Sequence, residues 1–155
     1  MNTTIRLFFA DGFRVFFLGA GVFAVLAMLV WTTWLTGGSQ GQMALSMAPQ
    51  HWHAHEMVFG YPAAALGGFL LTAVPNWTGA RAAPHLFIAL VAGIWAAGRA
   101  AVFLSGAIPA ELVAVIDLAF LPILGAKILT QLLKRPKPQN MMFLGLLTLI
   151  WLGNL

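Results

Sequence analysis

The chain has no cysteine and very little charge. Without cysteine there can be no disulfide, no thiolate metal site and no cysteine nucleophile, so any metal must be held by His, Met or carboxylate. Only 8% of the 155 residues are Asp, Glu, Lys or Arg, and 61% are hydrophobic. An ordinary soluble domain has about 25% charged residues. So few charges cannot cover a water-facing surface, and lipid is the natural solvent. A phosphate-binding glycine loop, an ordered Ser/His/Asp set and a paired-carboxylate site are also missing. The net charge of +4 does not point to nucleic acid. The basic residues are scattered between apolar runs and form no stripe with aromatics. The first apolar stretch is longer than a signal-peptide core, and no small-x-small cleavage site follows it.

What is present is a series of long apolar runs. A membrane-spanning helix needs about 20 apolar residues. The runs predict helices over residues 15–34, 57–74, 85–104 and 111–133, with a fifth over 141–155. The fold class expected is all-α: one membrane domain over residues 1–155, a polytopic transmembrane bundle of four full spans plus a fifth. The fifth run is about fifteen residues long, short for a comfortable span, and is expected to be truncated. Pro122 is expected to kink the fourth helix.

Loop charge gives an orientation. Arg6 and Arg14 precede the first run, Arg81 lies between the second and third, and Lys134, Arg135 and Lys137 follow the fourth. The other two loops carry no Lys or Arg, which places the N-terminus in the cytoplasm. The Gly/Ser/Gln-rich segment over residues 36–50 then faces the periplasm, with the histidines at its end. Small residues recur at Gly60, Ala64 and Gly68, and Ala92 and Ala96 share a helical face with Arg99. Such stripes let helices approach closely in lipid, and the Arg99 stripe is expected to pack on a neighbour.

The densest chemistry lies in Gln50-His51-Trp52-His53-Ala54-His55-Glu56-Met57, where three of the four histidines fall within five residues. Imidazole suits copper, zinc and iron and serves as an axial haem ligand. A helical segment puts His51 and His55 one turn apart on one face. An extended one points all three histidines the same way. Glu56 is a candidate ligand, or an acceptor that orients an imidazole. The bland reading is that these are structural residues at an interface, with Trp52 in the aromatic belt. His85, after Pro84, reads as an interface residue.

The second feature is charge within the membrane. Arg99 lies in the third run, and Glu111 and Asp117 lie in the matching half of the fourth. The short turn between these runs makes them antiparallel neighbours. An unpaired charge there costs several kcal/mol, so an intramembrane ion pair of Arg99 with Asp117 or Glu111 is expected. The alternative is that Arg99 meets a haem propionate or a bound anion.

The motif His51-Trp52-His53-Ala54-His55-Glu56-Met57-Val58-Phe59-Gly60, followed by Gly68-Phe69-Leu70-Leu71-Thr72-Ala73-Val74-Pro75-Asn76-Trp77-Thr78-Gly79, resembles the signature of the NnrS family. These are bacterial multi-pass inner-membrane proteins linked to nitric oxide metabolism and nitrosative stress. The resemblance implies haem and copper as cofactors, with His51, His53 and His55 as their ligands and Glu56 beside them. It implies nitric oxide as a ligand. It also implies a bundle of about a dozen helices, so this chain resembles the N-terminal portion, completed by further helices or a homo-oligomer. Two rival readings are a transporter or metal-uptake protein, and a structural subunit of a respiratory membrane complex.

Overall fold

The computed structural model describes residues 8–37 and 45–155. Arg6 and residues 38–44 of the Gly/Ser/Gln-rich segment lie outside the described residues. The described chain is helical: α1 (Gly12–Gly37), α2 (Pro49–His55), a π turn (Glu56–Gly60), α3 (Tyr61–Thr78), α4 (His85–Phe103), α5 (Ala110–Leu118), α6 (Phe120–Leu132) and α7 (Pro138–Gly153). Four stretches are long and apolar enough to cross a bilayer: Gly12–Gly37, Pro49–Thr78, His85–Phe103 and Ala110–Leu132. α7 has 16 residues, a length of roughly 24 Å at 1.5 Å per residue, less than a full span.

The second span departs from its expected start at residue 57. It begins at Pro49, and α2, the π turn and α3 run on as one helical rod. Pro49 stands at the first helical position, where a missing N–H costs nothing. The histidine segment therefore forms the opening turns of the span and not a loop before it. Gly79, with φ of 66°, takes the left-handed conformation that ends α3.

The fourth span is broken where proline dictates, though not at the proline itself. Pro122 has no N–H to offer the carbonyl of Leu118, four residues back. The helix divides at Ala119, and the indole Nε1 of Trp151 in α7 donates to that Leu118 carbonyl at 3.1 Å. This bond fixes α7 against the fourth span.

The helices close around Phe16, Leu70, Val74, Val91, Leu124, Ile128 and Leu132, all buried. α1 packs most extensively on α3. Gly68 makes this possible, since a Cβ there would lie 2.9 Å from Phe16 Cβ. The outer faces carry lipid-exposed residues such as Val25, Leu29, Leu90 and Val115. The Ala92/Ala96/Arg99 stripe packs in part as expected: Ala92 is part-buried against the core and Arg99 is buried against the second and fourth spans. Ala96 is exposed, and both alanines line an open apolar groove between α1 and α4. In lipid such a groove carries no penalty, because acyl chains solvate it as well as leucine would.

Candidate functional site

One end of the bundle gathers the end of α1, the histidine-bearing α2, the end of α4 and the start of α5. Because residues 49–55 are helical, successive positions are about 100° apart around the axis. His51 and His55 therefore share one face, and His53 points away from it. The extended arrangement in which all three histidines converge is not found.

His53 lies flat on Trp31 of α1, ring centroids 4.5 Å apart and planes 7° apart, and Trp31 stacks on Trp34 at 5.1 Å. Its Nδ1 is buried without a hydrogen-bond partner among the described residues. His51 is exposed. His55 is part-buried, with Nε2 3.4 Å from Asp117 Oδ2 and its ring 5.5 Å from that of Phe59. Trp52 is not a belt residue: at 2% exposure it is buried among Ala27, Ala101, Val102 and Val113. Bundle packing claims it because the helix continues through it. His85 opens α4 at the opposite end of the bundle.

Beside His55 lies a buried ionic network. Arg99 Nη1 donates to Glu56 Oε2 at 2.5 Å, and Nη2 donates to Asp117 Oδ1. Asn154, just past α7, donates to Asp117 Oδ2 at 2.9 Å. The cation is thus shared by two carboxylates from two different spans. Glu111, expected as a partner of Arg99, is exposed in the first turn of α5 and forms no ion pair among the described residues. Glu56 takes its place. Glu56 is fully buried, and its Oε2 accepts from Arg99.

Two local features admit the network. The π turn lets Tyr61 N–H bond to Glu56 O, one residue farther back than in an α-helix. The Gly60 carbonyl accepts from Trp95 Nε1 at 2.9 Å. A Cβ on Gly60 would overlap both Glu56 Oε2 and Arg99 Nη1, so only glycine leaves room for the guanidinium. Gly98 does the same between spans, since a Cβ there would lie 3.2 Å from Asp117 Cα.

Sequence reasoning missed the Glu56–Arg99 bond, because it assigned Glu56 to the histidines by adjacency. The usable signal was Glu56 followed by Gly60, a carboxylate and a gap on one helical face. Asn154 was missed because its run looked purely apolar.

Among the described residues no group of three or more His, Asp or Glu side chains is arranged to hold a metal. The imidazole pair fits an axial haem ligand, or two of the donors of a copper site, and does not by itself complete a copper shell. No curated protein and no solved structure matches the chain. A family model described as "NnrS protein" matches residues 7–155, nearly the whole sequence, so the chain belongs to the NnrS family.

Proposed function

We propose that this protein binds haem, with copper as a second metal, near one face of the membrane and takes part in the nitric oxide response. The observation that carries the reading is the His51/His55 face of α2. In an NnrS-family chain, two imidazoles stand one turn apart at the membrane-end of a span, one of them backed by a buried carboxylate. Loop charge supports a periplasmic position for that face and a cytoplasmic N-terminus in a bacterial inner membrane.

His51 and His55 would hold the haem, which when bound would supply an iron able to take nitric oxide as a ligand. The chain's own contribution is to hold the imidazoles at the bilayer edge. The Arg99 network holds the span bearing them in register with the third and fourth spans. The membrane setting suits nitric oxide, a small neutral molecule that partitions into lipid.

The test is an absorption spectrum with a pyridine haemochrome assay and elemental copper on the detergent-purified chain. The reading expects a Soret band, and loss of most of it in the His51→Ala/His55→Ala double variant. Unchanged haem and copper in that variant would assign the cofactors elsewhere. Uptake of copper or nitrite into liposomes without bound haem would favour a transporter.

A further inference from the structure

We propose that Asp117 is a positioning residue for His55. It holds the imidazole with Nε2–H turned inward, so that Nδ1 is the nitrogen offered to a haem or copper. The inference rests on the reading of His55 as a ligand, and it specifies how that ligand is made ready.

Four observations carry it. Asp117 Oδ2 is 3.4 Å from His55 Nε2, the buried nitrogen of that ring, which has no hydrogen-bond partner among the described residues and faces this carboxylate within ion-pair distance. A carboxylate facing one nitrogen of a neutral imidazole draws the proton to that nitrogen and leaves the lone pair on the other. Asp117 is itself immobile: its side chain is 6% exposed, and it accepts from Arg99 Nη2 on one oxygen and from Asn154 Nδ2 at 2.9 Å on the other. The ring of His55 is braced by Phe59, one helical turn on, which limits its freedom to flip. Finally, the carboxylate is delivered by helix packing, because Gly98 of α4 lets the α5 backbone approach to contact at Asp117.

Among the described residues His51 has no such support. It lies on the same helical face but is exposed. The two imidazoles are thus inequivalent, one facing a carboxylate fixed by the α4–α5 packing and Asn154, the other exposed and without a carboxylate partner among the described residues. Metal-bound histidines elsewhere commonly present their second nitrogen to a carboxylate, and loss of that carboxylate costs about 10–100-fold in metal affinity.

The experiment is nitrogen NMR on cofactor-free, detergent-solubilised protein labelled with 15N-histidine. The His55 signals are assigned by their loss in His55→Gln. The wild-type spectrum should show His55 as the Nε2–H tautomer with unprotonated Nδ1, and His51 and His85 as ordinary mixtures. Titration with Cu(II) alone should broaden His55 Nδ1 before Nε2. In Asp117→Asn the tautomer preference should be lost and copper affinity should fall by about 10–100-fold, with the His85 signals unchanged. A His55 Nδ1–H tautomer in the wild type overturns the proposal, whatever the variant does. First broadening at Nε2 also overturns it. If copper leaves both His51 and His55 unbroadened while the Nε2–H tautomer is present, the ligand reading fails and the Asp117–His55 arrangement stands.

Discussion

Arg99 reaches Glu56 with one nitrogen, at 2.5 Å, and Asp117 with another, and so ties the π turn of the second span to the α5 half of the fourth. A single cation between two carboxylates can be tolerated in this medium only if all three stay together. Removing one partner of a buried pair costs about 3–5 kcal/mol, because the remaining charge is left uncompensated. Arg99→Met leaves two such charges. Its melting temperature in detergent should fall steeply, and Glu56→Gln in the same background should recover part of the loss. Arg99→Lys should be intermediate, since one ammonium cannot reproduce the fork that meets both carboxylates. An Arg99→Met variant that melts with the wild type would show that the network contributes nothing to the fold.

Glycine substitutions separate space from propensity. Gly60→Ala puts a methyl group where Glu56 Oε2 and Arg99 Nη1 lie, and the pair would have to part. The expected cost is about 1–3 kcal/mol, typical of overpacking. Gly93, inside α4, has nothing within 4 Å of an added Cβ. Gly93→Ala should be neutral or slightly stabilising, since alanine is the better helix former. Thermal melts of the two variants side by side provide the check. Equal effects would mean that crowding at Gly60 is not what selects glycine there.

The spans were legible in the sequence because bilayer thickness alone dictates them: long apolar runs in a chain this poor in charge have no other fate. The third helix, expected over residues 85–104, is found at His85–Phe103. The second was misread at its start. The polar Gln50-His51 stretch looks like a loop by hydropathy, whereas hydrogen bonding continues the helix back to Pro49. Burial of Arg99 followed from the cost of a charge in lipid, but the choice between Glu111 and Glu56 did not. That choice depends on which carboxylate faces the guanidinium, and the one-residue slip of the π turn alters the facing in a way that no 3.6-residue periodicity encodes. The separation of His53 from His51 and His55 was visible only under the helical alternative.

The bond from Trp151 to the Leu118 carbonyl exists because Pro122 cannot make one. Trp151→Phe should therefore cost about 1 kcal/mol or somewhat more, the price of an unmet part-buried acceptor. In a Pro122→Ala background the backbone N–H returns, and Leu118 has an internal partner again. Trp151→Phe should then cost measurably less. A double-mutant cycle on melting temperature gives the coupling directly. Additive effects would separate the indole from the proline and leave the break at Ala119 without this explanation.

His53 offers the sharpest discrimination among the three clustered histidines. Its ring lies flat on Trp31, so its contribution to packing comes from its face. Phenylalanine preserves a flat aromatic face but has no nitrogen. His53→Phe should hold both the melting temperature and the haem and copper contents near wild type. His51→Ala and His55→Ala should instead lose cofactor while melting nearly as the wild type does without cofactor. Trp31→Ala should lower stability through the lost stack, by about 1 kcal/mol beyond the buried area, and should leave cofactor stoichiometry intact in the protein that remains folded. Loss of haem or copper in His53→Phe, with the fold preserved, would return His53 to the ligand set and require α2 to rearrange around the metal.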